Sequence, residues 1–161
     1  MTMETGTARE LFRHTLATLA YRGGKTLRGA DAEFAQFRAS ENTRTPLEIL
    51  AHIGDLMEWA LSIAKGKEEW KKADSRTWDQ EVTRFFASLQ TFDDYLASAE
   101  PLGCSPQQLF QAPMADALTH VGQLAMLRGL AGNPIGSESY FVADIVTGRV
   151  GAEQSAPRFE F

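Results

Sequence analysis

Apolar residues recur every three to four positions along four separate stretches of this chain, and almost nowhere do they alternate with period two. Such a pattern buries a stripe of a helix rather than a face of a sheet, so it predicts an all-α architecture. The first stretch covers about 7–27, punctuated by Leu11, Leu16, Leu19 and Leu27, with Gly23-Gly24 weakening its last turns. The second opens at Thr45-Pro46: Thr suits the N-cap, Pro the first helical position, and Glu48 completes a capping box. It continues to about Lys65 and stops at Gly66, presenting Ile49, His52, Ile53, Leu56, Trp59, Ala60 and Ile63 inward. The third covers about 77–99 through Phe85, Phe86, Leu89, Phe92 and Leu96. After a short turn at Ser105-Pro106, the fourth covers about 113–131 with Asp116, His120, Leu124, Leu127 and Ala131 inward. An accessory helix is expected over 137–145, then an irregular surface tail after Gly151. Together these predict a four-helix bundle, with 1–161 as one domain.

Composition narrows the function classes. The net charge of −5 argues against a phosphate-backbone binder, which needs a Lys/Arg excess, so no nucleic-acid partner is expected. No apolar run of about 18 residues exists to cross a membrane, and the first ten residues are polar, with no apolar signal core. Cys104 is alone, which fits a reducing cytosol. A cytoplasmic location follows as the expectation.

Chemistry has few candidate carriers. His52 lies on the stripe of Ile49 and Leu56, and His120 on that of Leu124 and Leu127. Asp116 precedes His120 by four residues, so its carboxylate projects from the same face one turn earlier. Polar groups on an apolar stripe are costly unless satisfied. They can form an Asp–His pair in the core, with His52 bonded to a backbone carbonyl. They can also hold a cation, since two imidazoles and a carboxylate suit zinc, nickel or iron and leave coordination positions open. His14 sits among polar neighbours and reads as a solvated position, and Gly24-Lys25-Thr26 lacks the glycine and strand of a phosphate loop. Cys104 reads as an inert turn residue, and 65–72 as a charged connector with Trp70 folding back on the bundle.

Two motifs in order resemble the DinB-like superfamily of four-helix-bundle metalloenzymes. Leu50-Ala51-His52-Ile53 with Trp59 is similar to its second-helix pattern. Asp116 followed by His120-Val121-Gly122-Gln123 is similar to its second ligand motif, and Leu124, Leu127-Arg128 and Leu130-Ala131-Gly132 match the ending of that helix. The resemblance runs from the first helix to Gly148. Many members carry His where Asp116 stands, while others, including thiol-dependent maleylpyruvate isomerases, carry a carboxylate and keep a metal.

The resemblance implies a divalent metal, zinc first with nickel or iron as alternatives, held by His52, Asp116 and His120. It also implies a low-molecular-weight thiol as cosubstrate and an S-transferase or isomerase acting on a small molecule. A metal would lower the thiol pKa and present a thiolate to an electrophile. Gln123 would orient a ligand or remain a surface amide. The competing reading is a non-enzymatic stress-response or small-molecule-binding bundle with a remnant site. The metal residues are expected at one end of a pocket between the second and fourth helices, walled by Ile49, Leu56, Leu124 and aromatic residues. A homodimer is also expected. Sixteen aromatic residues exceed what one narrow bundle core absorbs, with Trp78, Phe85, Phe86 and Phe92 as the surplus unless Phe159 and Phe161 in the tail cover it.

Overall fold

The computed structural model describes residues 5–161. Its elements are α1 (Thr5–Leu27), α2 (Ala32–Ala35), α3 (Pro46–Ala64), α4 (Trp78–Ala97), α5 (Pro106–Leu109), a π-helical turn (Phe110–Met114), α6 (Ala115–Leu130) and a 3₁₀ turn (Tyr140–Val142). The fold is all-helical. Among the described residues the one β pairing is an isolated antiparallel bridge between Glu138 and Glu160. No described helix is long and apolar enough to cross a membrane.

Local chemistry sets the helix starts. The Glu48 backbone N–H donates to the Thr45 hydroxyl at 3.2 Å, and the Thr45 N–H donates back to Glu48 Oε2 at 2.7 Å. The same reciprocal box joins Thr77 to Gln80. Each box satisfies donors that a helix N-terminus otherwise leaves unpaired. The fourth stretch departs from its expected start at 113. Helical backbone begins at Pro106 and passes through the π turn, which contains Pro113, before α6 opens at Ala115. A π turn widens the ladder where proline brings no N–H and a bulky ring.

Helices α1 and α3 each pack against both α4 and α6, so they lie diagonally opposite. Between them sit Phe12, Leu16, Leu50, Ile53, Met57, Phe85, Leu89, Phe92 and Leu124, all essentially solvent-free. Gly23 permits one close approach: a Cβ there would lie 2.7 Å from the Phe85 ring.

The buried stripes are rotated from the expected ones at two places. On α1, Leu11 is exposed and Phe12 is buried in its stead. On α3, Leu50, Met57 and Ala64 join Ile49, Ile53, Leu56 and Ala60 in the core, leaving His52, Trp59 and Ile63 half-buried at its edge. The accessory helix over 137–145 shrinks to the single 3₁₀ turn. Tertiary bonds claim its backbone and its acid: Ser139 N–H donates to Phe159 O and Phe161 N–H to Ser137 O. Glu138 is buried, accepting from Lys25 Nζ at 2.8 Å and Tyr21 Oη at 2.9 Å. The aromatic surplus also resolves differently. Trp78, Phe85 and Phe92 are buried within the chain and Phe86 is half-buried, whereas Phe159 and Phe161 stay exposed.

Candidate metal centre

Spacing places Asp116 and His120 one turn apart near the start of α6, and α3 delivers His52 opposite them. The π turn helps to set that phase. A turn lengthened by about one residue rotates everything beyond it by roughly 100° relative to a straight helix. The rings of His52 and His120 meet edge to face with centroids 4.7 Å apart. The Asp116 carboxylate straddles them: Oδ2 lies 3.4 Å from His52 Nε2, and Oδ1 lies 3.4 Å from His120 Nε2. One ligand atom from each residue falls within 4.8 Å of the others, so the group could hold a metal ion.

Those separations bear on both readings of the sequence. A good N–H···O bond spans about 2.7–3.2 Å, so neither Asp–His contact is well made. Two ligands on a tetrahedral cation with bonds of about 2.0–2.2 Å stand roughly 3.3–3.6 Å apart. Each contact falls in that interval, with a different carboxylate oxygen making each. The carboxylate is also 46% exposed, so the Asp–His contacts sit at the edge of the core and not within it. His52 finds its polar partner in Asp116 rather than in a backbone carbonyl.

The partners of the two imidazoles bear on which nitrogens face one another. Gln123 Oε1 lies 2.7 Å from His120 Nδ1 and accepts the proton of that nitrogen, which turns Nε2 toward Asp116. Gln123 is thus a positioning residue and not a free surface amide. Burial pushes the His52 pKa down, and the neighbouring His120 pushes it further; the bond and charge of Asp116 oppose them without prevailing. His52 is therefore held toward the neutral form that a metal needs.

Comparison with protein-family models, with curated proteins and with solved structures finds no match for this chain.

Beside His52 opens a cavity of about 490 Å³. It opens along α3, the connector and the start of α4 and not between α3 and α6 as expected; of the expected wall it has the aromatic Trp70, while Ile49, Leu56 and Leu124 face the bundle core. The lining mixes charged and apolar groups, with Arg44, Asp55, Lys72, Arg76 and Glu81 beside Leu47, Ala51 and Trp70. Trp70 does fold back from the connector: its ring lies 5.8 Å from His52 and 5.5 Å from Trp59, edge to face in both cases.

The inner wall is a charged knot that the sequence reading missed. Arg84 donates to Asp55 Oδ1 at 2.6 Å, Glu58 Oε1 at 2.8 Å, Glu81 Oε2 at 3.3 Å and Ala51 O at 3.2 Å. Burial alone would lower the guanidinium pKa, but the bonds to Glu58 and Asp55 raise it. The guanidinium crosses directly over Gly54, where a Cβ would come within 2.7 Å of it. One signal was available: Glu81 stands four residues before Phe85, on the stripe that continues through Leu89 and Phe92.

The remaining candidates lie apart. His14 is exposed, with Nδ1 3.3 Å from Thr147 Oγ1. Cys104 is half-buried and burial pushes its thiol pKa up, which disfavours the reactive thiolate.

Proposed function

We propose that this chain is a divalent-metal-dependent enzyme of the DinB-like type, acting in the cytosol on a small-molecule electrophile with a low-molecular-weight thiol. His52, Asp116 and His120 would hold the ion, zinc first, with nickel or iron as alternatives. The supporting observation is the pair of 3.4 Å carboxylate–imidazole separations, too long for good hydrogen bonds and suited to neighbouring ligands on one ion. Three protein ligands would leave a position open, with Asp116 half-exposed to solvent and His52 lining the adjacent cavity.

The metal would lower the pKa of a bound thiol and supply a nucleophilic sulfur at neutral pH. The protein's share is positional. Gln123 keeps His120 in the tautomer with Nε2 free, burial keeps His52 neutral, and Asp116 contributes negative charge. The expected homodimer belongs to this reading, with exposed Phe141, Phe159 and Phe161 replacing the α4 aromatics as the surface to cover.

Elemental analysis of protein purified without a metal-affinity tag tests the proposal. Near-stoichiometric zinc, nickel or iron is expected, lost in His52→Ala and in His120→Ala. A metal-free wild type whose stability ignores added zinc would overturn it in favour of a non-enzymatic bundle.

A further inference from the structure

The cavity beside His52 has a charge balance that its residue names conceal. Of its acids, Asp55 and Glu81 are bound to Arg84, and Asp55 Oδ1 also accepts from the Ala73 N–H at 3.2 Å. Glu48 is held by the Thr45 N–H and by Arg38 at 3.4 Å. Among the cations, Arg76 is committed to Glu81: its Nη1 lies 3.6 Å from Oε1, a buried oxygen that lacks a hydrogen bond. Arg44 and Lys72 also line the cavity, and neither has a carboxylate within 4.0 Å among the described residues. Against these two free cations stands one exposed acid without a cation of its own, Asp74.

Resting on the metal reading above, we infer that this cavity is an anion subsite of the metal centre. It takes a small molecule bearing an oxyanion such as a carboxylate, whose charge meets Arg44 and Lys72 while its reactive end reaches the ion between His52 and His120. Three features support the assignment. A volume of about 490 Å³ suits a small-molecule ligand. Arg44 and His52 line the same cavity. A planar guanidinium with no internal partner also matches an oxyanion in two-point geometry. Trp70 completes the wall beside His52, while Arg44 and Lys72 stand at the exposed mouth.

The test uses the full chain loaded with cobalt(II) and two thiols of similar length, 3-mercaptopropionate and 1-propanethiol. Titration of the sulfur-to-cobalt charge-transfer band gives both dissociation constants, and the cobalt ligand-field spectrum reports the metal site separately. Wild type is expected to bind 3-mercaptopropionate about tenfold more tightly than 1-propanethiol, with the preference shrinking as salt rises. Arg44→Ala should remove most of that preference without changing the affinity for 1-propanethiol, and Arg44→Lys should keep part of it. Lys72→Ala should lower it by a smaller factor. Equal affinities in wild type, or an Arg44→Ala variant that weakens both thiols alike, would overturn the subsite while leaving the metal centre standing. A protein that takes up no cobalt, seen in the absence of the ligand-field spectrum, would overturn both.

Discussion

Replacing Asp116 by Ala separates a ligand from a structural partner, because the two roles differ in whether zinc matters. In the metal-free protein the carboxylate is 46% exposed and makes only two long contacts, each 3.4 Å. Contacts of that kind are worth about 0–1 kcal/mol, so the chelated variant should melt within roughly 4 °C of wild type. With zinc the arithmetic changes. Four-ligand zinc sites in small peptides contribute about 10–16 kcal/mol, or roughly 3 kcal/mol per ligand, so losing one ligand should weaken binding by about two orders of magnitude. At a free zinc concentration about 100 times the wild-type dissociation constant, wild type gains about 2.7 kcal/mol and the variant only about 0.4. For a chain of this size the difference amounts to roughly 5–9 °C in the zinc-induced shift of Tm. Thermal melts of both proteins, with chelator and with buffered zinc, measure all four values. A chelated variant destabilised by several kcal/mol with its zinc shift intact would refute the reasoning, since Asp116 would then hold the fold and not the ion.

Two further outcomes follow from neighbouring groups. In metal-free protein the folded-state pKa of His52 lies below its ordinary value near 6.5, through burial first and the His120 charge second. Its contribution to stability is therefore complete above about 6.5 and lost as pH falls through 6.5 toward the lowered value. Melts from pH 8 to 5 in chelator should show that loss, and His52→Gln should flatten it; a wild type that becomes more stable toward pH 5 would contradict the assignment. Gly54→Ala places a methyl 2.7 Å from the Arg84 guanidinium and should cost about 1–3 kcal/mol, read from the urea midpoint at unchanged m-value. An unchanged midpoint would show that Arg84 yields freely.

The long helices were legible because their instructions are local. Thr45-Pro46-x-Glu48 and Thr77-x-x-Gln80 each state a start in four residues, and the apolar spacing between start and stop carries the stripe. The stretch over 137–145 failed for the opposite reason. It has a plausible serine cap, yet Lys25 and Tyr21, more than a hundred positions away, capture the Glu138 carboxylate and hold the segment against α1. Propensity is a weak prior, and a buried charge pair overrides it.

The same distinction runs through the site. Asp116 and His120 share a face by helical arithmetic, so their proximity could be read from four residues of spacing. The approach of His52 could not be read that way, because it depends on which helices become neighbours and on the rotation imposed by the π turn at Phe110–Met114. The cavity was misread for a related reason. An apolar stripe faces the bundle centre, so Ile49, Leu56 and Leu124 were bound to be consumed by the core and unavailable to a pocket that opens outward. The residues left for that pocket are the ones at the stripe's edge and in the connector: His52, Asp55, Trp70 and Lys72. A half-buried histidine at such an edge is more telling than one in the core. Burial draws its pKa down toward the neutral form, and its position at the edge leaves room for an ion were one bound.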